Sequence, residues 1–217
     1  IYNDFDHDSP AQNEGGQLNG GDAWYRKTFK LDEEDLNKNV RITFDGVYMD
    51  SKVYVNGKFV GHYPSGYNHF SYDITEFLNK DGSENSITVQ VTNKQPSSRW
   101  YSGSGIYRDV TLSYRDKVHV AENGNHITTP KLAEQKEGNV ETQVQSKIKN
   151  TDKKAAKVFV EQQIFTKEGK VVSELVRSET KNLAENETAD FRQTILVNKP
   201  TLWTTKSYHP QLYVLKT

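Results

Sequence analysis

From Trp24 onward, apolar and polar side chains alternate along the chain. Trp24-Tyr25-Arg26-Lys27-Thr28-Phe29 opens a first strand. Val40, Ile42 and Phe44 then alternate with Arg41 and Thr43, which gives one apolar and one polar face. Val53 and Val55 precede Asn56-Gly57, and Phe59-Val60 follow. Asn-Gly between two apolar runs predicts a tight hairpin, because both residues tolerate positive φ. Ile87, Val89 and Val91 alternate with Thr88, Gln90 and Thr92, and Val110 and Leu112 begin a further strand. Helix signals are confined to single turns at Asp32–Leu36 and Ile74–Leu78, too short to build a helical layer.

Around Tyr114-Arg115-Asp116-Lys117 this aromatic-rich patterning gives way to plainer strands. Val140, Val144 and Ile148 share one face. Val158, Val160 and Ile164 follow, then a turn at Glu168-Gly169, then a strand with Phe191, Ile195 and Val197. Regular short strands separated by Gly, Asn and Asp predict a second β-sandwich. The expected division is residues 1–115 and 116–217, both domains all-β. Residues 1–23 lack the alternation. They read as an irregular arm rich in Asn, Asp, Gln and Gly that would be disordered without support.

The formal net charge is -1 with acids and bases interspersed, so no basic face is available to follow a phosphate backbone and nucleic acid is not expected. No apolar run approaches membrane-spanning length. Ile1-Tyr2-Asn3-Asp4-Phe5-Asp6 is not a signal peptide, and the chain is expected to be an internal piece of a longer protein. With no cysteine, a thiolate metal site and a cysteine nucleophile are excluded. The six histidines show no ligand spacing, and His62 and His69 read as solvent-facing loop residues. Neither a metal nor a cofactor is expected. A glycosidase needs two carboxylates flanking the scissile bond, and no such pair stands out, so no catalytic residue is assigned.

One segment departs from this plain pattern. Ser98-Arg99-Trp100-Tyr101-Ser102-Gly103-Ser104-Gly105-Ile106-Tyr107-Arg108-Asp109-Val110 places three aromatics, two arginines and two glycines between strands. A sugar ring has an apolar C–H face on which an aromatic ring stacks, while polar groups fix the hydroxyls. Trp100 is the candidate for stacking. Arg99 and Tyr101 could donate hydrogen bonds to hydroxyls, and the glycines allow a sharp turn and close approach to a neighbour. Ile106 and Tyr107 are expected in the core, and Arg108 in a pair with a surface acid.

The same segment resembles a signature of the glycoside hydrolase family 2 enzymes. So do Phe44-Asp45-Gly46-Val47-Tyr48-Met49-Asp50-Ser51, Val53-Tyr54-Val55-Asn56-Gly57-Lys58, Gly61-His62 and Tyr72-Asp73-Ile74-Thr75, in order and spacing. In the second half, Pro200-Thr201-Leu202-Trp203 and Pro210-Gln211-Leu212-Tyr213 resemble the closing strands before the family's barrel. The resemblance implies an N-terminal jelly-roll sandwich followed by an immunoglobulin-like sandwich, with the catalytic glutamates on a (β/α)₈ barrel outside this chain. The wording of the first domain is closest to large streptococcal surface β-galactosidases, which implies a secreted or wall-attached bacterial protein. It also implies that an acid or amide of the arm reaches a galactoside, which falls on Asp4 or Asn3, and that Trp100 lines the same pocket. Ser97 and Arg99 stand where the family's enteric member has acids, so no ion is expected at this loop.

Three functions follow from these readings. One is the non-catalytic N-terminal part of a retaining β-galactosidase, partnered by its own barrel. The second is a free-standing lectin-like module. The third is a structural surface sandwich, which would have no need of Trp100 and Arg99 in a loop.

Overall fold

A computed structural model describes residues 6–13, 17–96, 104–135, 137–205 and 210–217. The chain divides into two compact units, residues 1–116 and 117–217. Both are β-sandwiches, the first of jelly-roll type and the second immunoglobulin-like.

The first unit contains β1 (Gly21–Phe29), β2 (Asn39–Phe44), β3 (Val47–Tyr48), β4 (Ser51–Val55), β5 (Lys58–Tyr63), β6 (Phe70–Asp73), β7 (Asn85–Asn93), β8 (Gly105–Ile106) and β9 (Val110–Arg115). One antiparallel sheet has the order β1-β7-β4-β5, another β6-β2-β9, and β3 pairs with β8 as a short ribbon. The period-two pattern explains the layers. Val40, Ile42 and Phe44 of β2 face Val53 and Val55 of β4 and Ile87, Val89 and Val91 of β7 in one buried cluster. The two single helical turns occur as 3-10 turns at Glu33–Asp35 and Thr75–Phe77.

Asn56 and Gly57 form the β4–β5 hairpin with φ of 49° and 76°. The hairpin holds a bulge that the alternation does not reveal. Val53 pairs with Gly61, but Tyr54 pairs with Phe59, so Val60 is the extra residue. Val60 packs on the core and Phe59 is turned outward beside Tyr54. Buried Asn85 locks the hairpin from behind. Its Oδ1 accepts from Asn56 Nδ2 at 2.8 Å and from the Asn79 amide at 2.7 Å.

The second unit contains β10 (Val118–Thr128), α1 (Leu132–Gln135), β11 (Val140–Asn150), β12 (Ala156–Val158), β13 (Glu161–Thr166), β14 (Val176–Arg177), β15 (Lys181–Leu183), β16 (Thr188–Val197) and β17 (Tyr213–Lys216). Its sheets run β10-β11-β16, β14-β13-β17 and β12-β15. Alternate residues of β11 and β16 enter two small clusters, one around Val144, Ile164 and Ile195, the other around Ile148, Leu183 and Phe191. Pro200–Trp203 is irregular rather than a strand, its Thr201 amide donating to the Tyr213 hydroxyl at 2.7 Å. Pro200 has no amide to donate, and half-buried Leu202 beside exposed Trp203 does not supply the alternation of a ladder.

Candidate functional site

Every binding residue expected from the sequence, Asn3, Asp4, Arg99, Trp100 and Tyr101, lies outside the described residues. Their flanks do not. The arm from Asp6 to Gly20 leads into β1, and the loop runs from the end of β7 to Ser104 before β8. These flanks are fastened to each other by one side chain. Gln95 accepts from the Gly20 amide through Oε1 at 2.8 Å and donates from Nε2 to the Leu18 carbonyl at 2.8 Å. A side chain at Gly20 would collide with the Asn93 carbonyl and the Gln95 stem, so glycine permits this close approach.

The arm is folded back on itself, which supplies the support its composition demands. Leu18's carbonyl also accepts from the buried Ser9 hydroxyl at 3.0 Å, and the Asp6 amide donates to the Gln17 carbonyl at 2.9 Å. Asn19 Nδ2 donates to Asp6 Oδ2 at 2.8 Å, and the Asp8 amide to Asp6 Oδ1 at 3.0 Å. These two hydrogen bonds hold the Asp6 carboxyl below the usual aspartate range, the Asn19 amide being the larger cause.

On the loop side, buried Asn93 donates from Nδ2 to Ser104 Oγ at 2.7 Å and so closes the base of the 97–103 segment. Gly105 follows with φ of +89°, and the Tyr25 hydroxyl occupies the place a Cβ would take. The glycine expected to permit a close approach therefore does so at Gly105, while Gly103 lies outside the described residues.

Beside this base, Tyr48, Tyr67 and Tyr107 form a group. Tyr48 and Tyr67 meet edge to face at 5.4 Å between ring centres. Tyr107 donates to the Gly66 carbonyl at 2.7 Å, and Gly66 lies against the Tyr48 ring. A hydrogen bond to Tyr48 is the main cause that pushes the Tyr67 phenol above its ordinary range. Ile106 packs against the core as expected. Tyr107 does not. It is exposed at the surface, and the Arg108 guanidinium lies over its ring at 5.5 Å instead of pairing with an acid among the described residues. A phenol hydroxyl that can reach a carbonyl at the surface has no reason to be desolvated, and a ring face satisfies an exposed guanidinium.

His62 and His69 are both exposed, and His62 Nε2 meets Asp50 Oδ1 at 2.5 Å. No group of three or more His, Cys, Asp or Glu among the described residues could hold a metal ion. Among the described residues, no helix is long and apolar enough to cross a membrane. Gln95 and Asn93, which organise the site, carry no sequence signal, because their roles depend on partners up to 77 residues away.

The second unit has an apolar groove of about 270 Å³ bounded by Ile127, Leu132, Pro200, Trp203, Tyr213 and Leu215. Trp203 is exposed there.

Comparison with known proteins gives these features a frame. Residues 1–116 match the model of the glycosyl hydrolases family 2 sugar binding domain, and residues 118–217 match a second glycosyl hydrolases family 2 model. Beta-galactosidase BoGH2A of Bacteroides ovatus is 40% identical over 218 residues, spanning 100% of this chain and 25% of its own length. The crystal structure of a family 2 member from Bacteroides cellulosilyticus superposes with a TM-score of 0.87 at 33% identity, over 98% of this chain and 26% of that one. A Bacteroides uniformis beta-glucuronidase superposes with a TM-score of 0.76 at 27% identity, over 93% of this chain and 25% of that one. The chain thus spans about a quarter of the length of the relatives it matches. The two matched models cover both units, and the chain belongs to glycosyl hydrolase family 2.

Proposed function

We propose that this chain is the non-catalytic N-terminal part of a retaining β-galactosidase and that it supplies one wall of a sugar pocket completed by a catalytic domain. The observation that supports this reading is the Gln95 clasp. It ties the flank of the arm, where Asn3 and Asp4 lie in sequence, to the base of the loop that contains Arg99, Trp100 and Tyr101. In this reading Asp4, or Asn3, hydrogen-bonds sugar hydroxyls, Trp100 stacks on the ring, and Arg99 and Tyr101 hold the remaining hydroxyls. The apolar groove beside Trp203 is then the seat of the following domain, since an exposed apolar patch of this kind marks an interaction surface.

The test uses the parent enzyme with this chain in place. Turnover of an aryl β-galactoside well above that of the matching β-glucuronide is expected. Faster turnover of the glucuronide would overturn the galactosidase assignment. In the same enzyme Trp100→Ala should lower kcat/KM by roughly ten- to a hundredfold, about 1.4–2.7 kcal/mol, with little change in Tm. A large fall in Tm with kinetics within a factor of two would make Trp100 a packing residue and remove it from the pocket.

A further inference from the structure

The outer face of the β1-β7-β4-β5 sheet holds side chains that the fold does not need. Trp24 on β1 is 60% exposed and Phe59 on β5 is 54% exposed. Tyr54 on β4 links them, with ring centres 6.1 Å from Trp24 and 5.6 Å from Phe59. The Asn56-Gly57 turn sets Phe59 opposite Tyr54 on this side, and Val60, the bulged residue beyond it, packs on the core. Single exposed apolar residues are ordinary, but three rings linked through Tyr54 across a sheet form a patch.

Polar residues interleave with the rings. The register places Trp24 opposite Gln90, which lies opposite Lys52, and Arg26 opposite Thr88, which lies opposite Tyr54. Two strand spacings, about 10 Å, therefore separate the strand of Arg26 from that of Lys52. Neither cation has an ion-pair partner among the described residues. Of the two acids nearby, Asp50 is engaged by His62, and Asp22 stands at the start of β1. The centre of the face thus presents three aromatic rings, an amide, a hydroxyl and two unpaired cations.

We infer that this face is a binding platform for an anionic glycan, a polysaccharide whose sugar residues bear carboxylates. The C–H faces of the sugars stack on Trp24, Tyr54 and Phe59. Gln90 and Thr88 hydrogen-bond hydroxyls, and Arg26 and Lys52 pair with the carboxylates. The charge of the face selects the acidic class: a neutral chain would leave both cations without a use. This site stands on residues of β1, β4, β5 and β7 alone and does not depend on which glycoside the parent enzyme cleaves.

The test is affinity electrophoresis of the 217-residue chain through gels containing polygalacturonate or, separately, a neutral galactan, with sedimentation velocity on the same samples. Retention by polygalacturonate, weakened as ionic strength rises, and little retention by galactan are expected. Trp24→Ala should lower polygalacturonate affinity at least tenfold without changing Tm, Trp24→Phe should restore most of it, and the Arg26→Gln/Lys52→Gln double variant should also lower it at least tenfold. Equal retention by both polymers, indifferent to the double variant, would overturn the acidic assignment. No retention by either polymer would overturn the platform. Self-association of the wild-type chain that Trp24→Ala abolishes would instead make the face a contact between copies.

Discussion

Two single residues bear more of the fold than their size suggests. Gly105 combines a φ of +89° with the Tyr25 hydroxyl at its Cβ position. Gly105→Ala should cost about 2–4 kcal/mol, because it meets both a disallowed dihedral and a blocked site. Asn150, fully buried, donates from Nδ2 to the carbonyls of Lys154, Leu183 and Ala184 at 2.8–3.2 Å and accepts from the Asp152 amide at 2.9 Å. Asn150→Ala strands several buried polar groups and should cost about 3 kcal/mol. Chemical denaturation of each variant checks both figures; a loss under 1 kcal/mol would refute the corresponding account. Of the two, only Gly105 could be suspected from sequence, since a glycine beside aromatic residues invites the question of why no side chain is present. Asn150 ends β11 in a plain polar stretch, and its acceptors are Lys154 in the turn that follows and the neighbouring Leu183 and Ala184, 33 and 34 residues on.

At the scale of elements, the strands were legible and their details were not. Val40-Arg41-Ile42-Thr43-Phe44 declares a half-buried strand, and Asn56-Gly57 declares its turn. The bulge at Val60 does not show, because Phe59-Val60-Gly61 reads equally well in two registers and the choice is made by Tyr72, whose ring fills the space beside Gly61. The arm was legible as irregular but not as anchored, since its anchor is a glutamine near residue 95. Its pH behaviour follows from Asp6. The folded-state pKa of Asp6 lies below its ordinary value of 3.8, so its contribution is present above that pH and is lost as the pH falls through the folded-state value. Hydrogen exchange should therefore show the Asp8 amide losing protection in acid while β7 remains protected. Asp6→Asn should show the weakened protection already at neutral pH. Equal protection of Asp8 in both proteins at pH 7 would exclude this role for the carboxylate.

At the scale of the whole molecule, alternation alone shows two sandwiches, because each unit buries its own core from its own strands. The family was legible through the order of short segments. The candidate binding residues were legible in the aromatic and cationic character of the 98–110 segment and, for Asn3 and Asp4, through the resemblance. They lie outside the described residues, and Gln95, Asn93 and the arm are the features described at their flanks. A retaining glycosidase brings two carboxyl groups to about 5 Å on either side of the bond it cleaves. The relatives are about four times as long as this chain. The purified chain should therefore release no product from an aryl β-galactoside, and measurable turnover abolished by substituting an acid within it would refute the non-catalytic assignment.

The clasp between Gln95 and the arm has a consequence in time. Its two hydrogen bonds join residues 75 and 77 positions apart, and the arm leads into β1, which itself pairs with the distant β7. During synthesis the arm leaves the ribosome before β7 and Gln95, and it can be ordered only after they have followed it and the sheet has closed. Contacts of such long sequence separation, resting on a sheet that must already exist, belong on the native side of the folding barrier. Weakening the arm then leaves the rate of folding nearly unchanged and accelerates unfolding, so a segment made before its partners acts as the last latch.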